Sequence, residues 1–124
     1  MLKQKIKRIL IAEDEKAYSR ALALKLQNAG FEVETAANGE EALATIVKSH
    51  FDLVLCDLIM PKMNGFAMLE AVQKQSTPVP VIILSNLNQE EDKKRTKDLG
   101  SVDFIVKSDT SLAVIVARVV DFLK

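Results

Sequence analysis

The sequence of 124 residues contains one cysteine, one histidine and no tryptophan, and its 17 basic and 17 acidic side chains leave no net charge. The single cysteine, Cys56, excludes an internal disulfide and any metal motif that needs two thiolates. Without an excess of positive charge, we expect no direct nucleic-acid binding. The content of 48% apolar and 27% charged residues is typical of a globular protein. We therefore predict one domain that fills residues 1–124, with no output domain after it.

Long hydrophobic runs are also missing. The basic lead, residues 1–7, is followed by an apolar run, Ile9 to Ala12, that is too short for a signal peptide. The longest weakly charged stretch, Ser111 to Ala117, falls well below the roughly 20 residues that span a bilayer. We predict a cytoplasmic protein that does not contact membranes.

Five short β-branched runs alternate with segments of helical periodicity. The predicted strands are Arg8 to Ala12, Glu32 to Ala36, Leu53 to Cys56, Val81 to Leu84 and Asp103 to Val106. The predicted helices are Lys16 to Asn28, Glu40 to Lys48, Phe66 to Lys74, Gln89 to Leu99 and Ser111 to Leu123. We expect Asp109 or Thr110 to cap the last helix. Three of the strands are continuously apolar, which indicates burial on both faces of a parallel sheet.

Five βα units in succession predict an α/β fold with right-handed crossovers. At this chain length they fit a flavodoxin-like (βα)5 three-layer sandwich, with a five-stranded parallel sheet in the order 2-1-3-4-5. Ligands of such sheets bind beyond the carboxyl ends of the strands. The residues that follow the strands are therefore the candidate site.

Polar side chains stand at the ends of four predicted strands. Glu13 and Asp14 follow the first strand, Asp57 the third and Ser85 the fourth, and Lys107 stands at the end of the fifth. Three neighbouring carboxylates repel one another unless a cation compensates them. Oxygen ligands without a histidine or thiol cluster favour a hard cation such as Mg²⁺. A carboxylate beside that cation can act as the nucleophile toward a phosphoryl group, giving an aspartyl phosphate.

With these residues the chain resembles the receiver (phospho-acceptor) domain of bacterial two-component response regulators, and it is similar to single-domain chemotaxis-type regulators. The resemblance extends from Ile9 to Leu123. Four segments carry it in order: Ile9 to Asp14, Asp52 to Gly65, Val81 to Ser85, and Gly100 to Lys107. It implies a phosphorylation switch that catalyses only its own phosphorylation and dephosphorylation.

The resemblance also implies a role for each acidic residue. Asp57 would accept the phosphoryl group from a histidine kinase or a histidine phosphotransfer protein. Asp14 would bind Mg²⁺ directly and Glu13 would bind it through water. Asp57 itself and the backbone carbonyl of Ile59 would complete the metal ligands.

Three more positions match the part of the family that responds to phosphorylation. Ser85 would bond to the phosphoryl group and Lys107 would pair with it. Phe104 matches an aromatic residue that swings inward on activation, although a plain core role for Phe104 is the alternative. Phosphorylation adds charge and acceptor oxygens, and a bistable region at the fourth and fifth strands would respond to them.

The sequence departs from the family pattern near these residues. Asn86 replaces a small residue that usually follows the hydroxyl, and we expect it to alter access to the phosphoryl group. Ser108 replaces a proline that usually forms a cis bond, so we expect a trans or strained turn after Lys107. Ile59 and Leu87 occupy positions that tune the phosphoryl lifetime in the family. Because both are apolar, we predict a long-lived phosphoryl group.

Other functions stay open at this point. An aspartate-nucleophile phosphatase of the haloacid dehalogenase type needs a second aspartate where Ile59 stands. A degenerate receiver that binds partners without phosphate is disfavoured by the three carboxylates. The chain is either a stand-alone regulator or a receiver excised from a hybrid kinase or a longer regulator.

The last predicted helix is apolar on two sides. One side, expected to cover the sheet, carries Leu112, Ile115, Val116, Val119 and Phe122. The other side carries Ala113, Val114, Ala117 and Val120. This second side predicts a homodimer or a downstream partner on the face of the fourth helix, fifth strand and fifth helix, with a monomer as the alternative.

Overall fold

A computed structural model describes residues 5–124, so the first four residues of the predicted basic lead lie outside the described residues. The strands are β1 (Arg8–Ala12), β2 (Glu32–Ala36), β3 (Leu53–Cys56), β4 (Val81–Ser85) and β5 (Asp103–Val106). The helices are α1 (Lys16–Asn28), α2 (Gly39–Lys48), α3 (Gly65–Gln73), α4 (Glu90–Asp98) and α5 (Leu112–Phe122). A 3₁₀ turn, Lys107–Asp109, joins β5 to the segment before α5.

The strands form one sheet in which every neighbouring pair is parallel. Their order, β2-β1-β3-β4-β5, confirms the predicted flavodoxin-like sandwich. The order reverses between β1 and β3, and the crevice beyond the carboxyl ends of these two strands is where such folds bind ligands.

Two hydrophobic clusters, one on each face of the sheet, bury the inner strands β1, β3 and β4. Within β1, Leu10 packs into the cluster under α2 and α3, while Ile9 and Ile11 pack into the cluster under α1 and α5. Since alternate side chains of a strand point to opposite faces, a strand with a core on both sides must be apolar throughout. This explains the continuous apolar runs in the sequence.

The helix ends follow local capping chemistry. The side chains of Asn38 and Asn64 accept the backbone N–H groups of the third residue of α2 and of α3, which satisfies donors that a helix leaves free. At α5 the predicted cap was wrong. Ser111 caps this helix by accepting the Val114 N–H at 3.2 Å, because the 3₁₀ turn takes up Asp109.

Helix α5 covers the sheet with fewer residues than predicted. Ile115 and Val119 are buried in the core, and Leu112 and Val116 pack against it. The expectation for Phe122 was wrong, since its side chain is 41% exposed and Leu123 packs against the core instead. The outward side is as predicted, with exposed residues at Ala113, Val114 and Ala117 and a half-buried one at Val120. Within residues 5–124, no helix is both long enough and apolar enough to cross a membrane.

Candidate functional site

The three predicted carboxylates meet at the carboxyl end of the sheet. One oxygen from each of Glu13, Asp14 and Asp57 lies within 4.8 Å of the others. The register brings them together, because Ala12 pairs with Cys56 and the Asp57 N–H then donates to the Ala12 carbonyl at 3.0 Å. The strand ends of β1 and β3 therefore place the acidic residues side by side.

The carboxylate of Asp57 is held on both of its oxygens. Its Oδ1 accepts the backbone N–H of Leu58 at 2.7 Å and that of Ile59 at 3.3 Å. Its Oδ2 accepts a hydrogen bond from Lys107 Nζ at 3.0 Å. Because these groups come from the backbone after β3 and from the end of β5, the orientation of Asp57 is fixed from two sides of the site.

Gly65 is part of this site, although the sequence indicated only a turn at Asn64 and Gly65. A Cβ at position 65 would lie 2.3 Å from the Asp57 carbonyl oxygen, too close for any other residue without a backbone shift. The Gly65 N–H also donates to the Leu58 carbonyl at 2.9 Å. The start of α3 therefore packs directly on the backbone that carries the acidic residue.

Lys107 is the cation of the site. Its Nζ donates to Glu13 Oε1 at 2.5 Å and to Glu15 Oε1 at 3.4 Å, in addition to Asp57. Burial opposes the charged form, but the hydrogen bonds to Glu13 and Asp57 outweigh it and raise the pKa of Lys107 above its usual value. The ammonium therefore stays charged at neutral pH and bridges the ends of β1 and β3.

The site carries more negative than positive charge. Burial raises the pKa of Glu13, and the hydrogen bond from Lys107 offsets this only in part. Asp14 is exposed at the mouth of the site. Three carboxylate donors close together, with no histidine or thiol among them, fit a hard divalent cation such as Mg²⁺.

The predicted phosphoryl-binding hydroxyl lies at the end of β4. Ser85 is buried, and its Oγ accepts the Leu87 N–H at 3.2 Å. It pairs in register with Val106, the residue before Lys107, so the hydroxyl and the ammonium start from neighbouring strand ends. Phe104 is half-buried and packs against the cluster under α2 and α3.

The residues predicted to tune the phosphoryl lifetime lie in two loops. Ile59 is exposed, whereas Leu87 packs against the core. The peptide bond between Lys107 and Ser108 is trans. Asn86 Oδ1 accepts the Ser108 N–H at 2.7 Å. The effect of these residues on lifetime stays a prediction.

Sequence reasoning missed the aromatic neighbour of Lys107. Its Nζ lies 4.8 Å from the centre of the Tyr18 ring, a distance at which a cation and an aromatic face attract. The Tyr18 hydroxyl is buried and has no hydrogen-bond partner in the described part of the chain. The available signal was its position in the first turn of α1, four residues after Asp14 and above the carboxyl end of the sheet.

Comparisons with known proteins agree with this fold. The family model described as "Response regulator receiver domain" matches residues 9–119. A chemotaxis protein CheY4 of Vibrio cholerae superposes with a TM-score of 0.88 at 32% identity, covering 94% of this chain and 98% of the other. A CheY-like receiver domain protein of Methanospirillum hungatei gives a TM-score of 0.90 at 28% identity, covering 96% and 94%.

Curated relatives are longer proteins. A probable transcriptional regulator ycf27 of Cyanophora paradoxa is 39% identical over 82% of this chain and 42% of its own length. The transcriptional regulatory protein DltR of Streptococcus agalactiae is 36% identical over 81% of this chain and 45% of its own length. This chain thus spans less than half the length of these relatives. With a family match over most of its residues, it belongs to the receiver domains of two-component response regulators.

Proposed function

We propose that this receiver accepts a phosphoryl group on Asp57 in the presence of Mg²⁺, from a histidine kinase or a histidine phosphotransfer protein. One observation carries the proposal. The Asp57 carboxylate is oriented by backbone N–H groups and by Lys107, and oxygens of Glu13 and Asp14 lie within 4.8 Å of it and of each other. This arrangement supplies a nucleophile with the groups that neutralise charge on the oxygens of a transferred phosphoryl group.

Transfer of the phosphoryl group to Asp57 would be a single displacement at phosphorus. A carboxylate oxygen of Asp57 forms a bond to phosphorus while the bond from phosphorus to the donor's imidazole nitrogen breaks. The electron pair leaves with the imidazole, which takes a proton from water. Asp14, Asp57 and the Ile59 carbonyl would hold a Mg²⁺ directly and Glu13 would hold it through water, and the bound ion would supply positive charge that offsets the charge of the phosphoryl oxygens.

The remaining polar residues bind the product. Lys107 already donates to Asp57, so its ammonium is in place to pair with a phosphoryl oxygen on that residue. The Ser85 hydroxyl can turn from its contact with Leu87 to donate to another phosphoryl oxygen. Phosphorylation then changes the charge balance next to the β4–α4 loop and β5.

The output of this domain is control of a partner rather than metabolic chemistry. Two longer relatives are named transcriptional regulators, and a solved neighbour is named a chemotaxis protein. The exposed residues Val114 and Phe122 leave α5 apolar toward the outside. We propose that the face of α4, β5 and α5 binds a second copy or a downstream protein in the cytoplasm.

Intact mass spectrometry tests the proposal. Treatment with acetyl phosphate and Mg²⁺ should add one phosphoryl group to the wild-type protein, and Asp57→Ala should add none. Asp52→Ala is the matched control, since it removes an aspartate at the other end of β3 and should leave the gain unchanged. A wild-type protein that gains no mass, or Asp57→Ala protein that gains as much as wild type, would show that the proposal is wrong.

A further inference from the structure

A side chain links the two loops that follow β4 and β5. The register between these strands ends at Ser85 and Val106. Beyond that pair, Asn86 Oδ1 accepts the backbone N–H of Ser108 at 2.7 Å. The strand-to-strand connection is therefore extended past the end of the ladder, from the residue after the hydroxyl to the residue after the lysine.

We propose that Asn86 is a positioning residue for Lys107, acting through the Ser108 N–H. We call this contact the Asn86–Ser108 tether. It fixes the backbone at the start of the 3₁₀ turn and so holds the Lys107 ammonium opposite Asp57. Its effect on phosphoryl transfer rests on the proposed function, whereas its effect on Lys107 does not.

The need for such a tether follows from where Lys107 lies. The residue opens a 3₁₀ turn of only three residues, Lys107–Asp109, and hydrogen bonds in such turns have poorer geometry than those of an α-helix. The first N–H groups of a helical turn have no partner within it, and Ser108 finds its partner across the loop. Lys107 also carries four rotatable side-chain bonds, so the position of its ammonium depends on a fixed backbone.

The contact needs an acceptor at position 86 and a donor at position 108. Residue 86 must offer a side-chain acceptor, which alanine lacks, and residue 108 must offer a backbone N–H, which proline lacks. Asn86 and Ser108 are the positions at which this sequence departs from the small residue and the proline usual in the family. The structure shows that these two departures are in contact, so they are interpreted best as one feature.

The first experiment reads Lys107 directly, in the metal-free and phosphate-free protein. In Asn86→Ala, the Ser108 amide should exchange with solvent about three- to tenfold faster, the factor set by one modest hydrogen bond. The ¹⁵N resonance of the Lys107 ammonium should shift or broaden in the same variant. Ser108→Ala keeps the backbone N–H and should leave both signals unchanged, and Asn86→Asp keeps an acceptor oxygen and should restore the protection of the Ser108 amide.

The second experiment measures phosphorylation by acetyl phosphate against its concentration. Asn86→Ala should lower the maximal rate by about three- to tenfold, with a cooperative urea transition of unchanged m value showing that the fold is intact. Asn88→Ala is the control, because it removes an exposed amide from the same loop and should behave as wild type.

The exchange and phosphorylation experiments together distinguish failure of the tether from failure of the proposed function. If Asn86→Ala leaves the Ser108 exchange rate and the Lys107 resonance as in wild type, the tether is wrong whatever the protein does with phosphate. If both change but the phosphorylation rate does not, Asn86 positions Lys107 as proposed, and the proposed effect of the tether on phosphoryl transfer is wrong. If the wild-type protein takes no phosphate, the proposed function fails, and the Lys107 resonance alone decides the tether.

Discussion

Charged side chains gather at both ends of the sheet, in very different surroundings. At the carboxyl end, the side chains of Lys107, Glu13 and Asp57 are 6%, 3% and 9% exposed. At the amino end, Arg8 pairs with Glu32 and Glu34, and it is 29% exposed. The first group is enclosed by the fold, whereas the second lies at the surface.

The difference in burial indicates which charged residues contribute most to the stability of the fold. Exposed ion pairs are screened by water and salt, and each contributes about 0–1 kcal/mol. Buried charges depend on one another, because losing one partner leaves the other without compensation. We therefore expect substitutions at the carboxyl end to change both stability and function, and those at the amino end to change stability slightly.

The largest effect is expected for Lys107→Met. This change keeps the apolar part of the side chain and leaves Glu13 and Asp57 buried without their cation. The free energy of unfolding at pH 7, measured with urea in the absence of divalent ions, should fall by about 3–5 kcal/mol. Arg8→Met, the matched change at the amino end, should cost about 1 kcal/mol or less. Equal losses of unfolding free energy in the two variants would contradict the expectation that buried charges at the carboxyl end contribute more to stability than exposed charges at the amino end.

Mg²⁺ should stabilise the fold by binding at the carboxyl end of the sheet and not at the amino end. At a Mg²⁺ concentration one hundred times its dissociation constant, the wild-type protein should gain about 2.7 kcal/mol in its free energy of unfolding. Asp14→Asn should lose most of this gain because it removes a carboxylate of the acidic cluster. Asp52→Asn should keep all of it. A full gain in Asp14→Asn would show that the acidic cluster is not the metal site.

The smallest effect concerns acid stability at the amino end. Burial opposes ionisation of Asp52, but hydrogen bonds from the Arg8 N–H at 2.8 Å and from His50 outweigh it and lower its pKa. A lowered pKa stabilises the fold above the ordinary value of 3.8 and loses that contribution as the pH falls through the folded-state pKa. Asp52→Asn should therefore be less stable than wild type at pH 7, by a margin that narrows toward pH 3. A margin independent of pH in urea unfolding would contradict this.

The fold could be predicted because burial on two faces leaves a plain pattern in the sequence. The continuous apolar run before Asp57 marks a central strand, and the predicted bounds of β1, β2, β3 and β5 match the structure. The α5 cap was harder to predict, since Asp109, Thr110 and Ser111 are all suitable caps. The choice among them depends on where the 3₁₀ turn ends, which is a tertiary feature.

For the site, the sequence predicts which residues lie close together but not the contacts that their side chains make. Strand ends in a parallel sheet share one edge, so the convergence of Glu13, Asp14 and Asp57 follows from topology. The contacts of Lys107 with Glu13 and the Tyr18 ring depend on side-chain packing across elements far apart in the chain. No local pattern in the sequence encodes them.

Helix α4 follows the loop after Ser85, and it buries fewer residues against the rest of the fold than α5 does. Thr96 is the one residue of α4 that is buried, and Arg95 adds a contact over the Phe66 ring at 4.0 Å. Opening α5 would expose Ile115 and Val119 to water, whereas opening α4 would expose little apolar surface. The free energy of local opening is therefore lower for α4 than for α5. We therefore expect backbone amides to exchange with solvent faster in α4 than in α5.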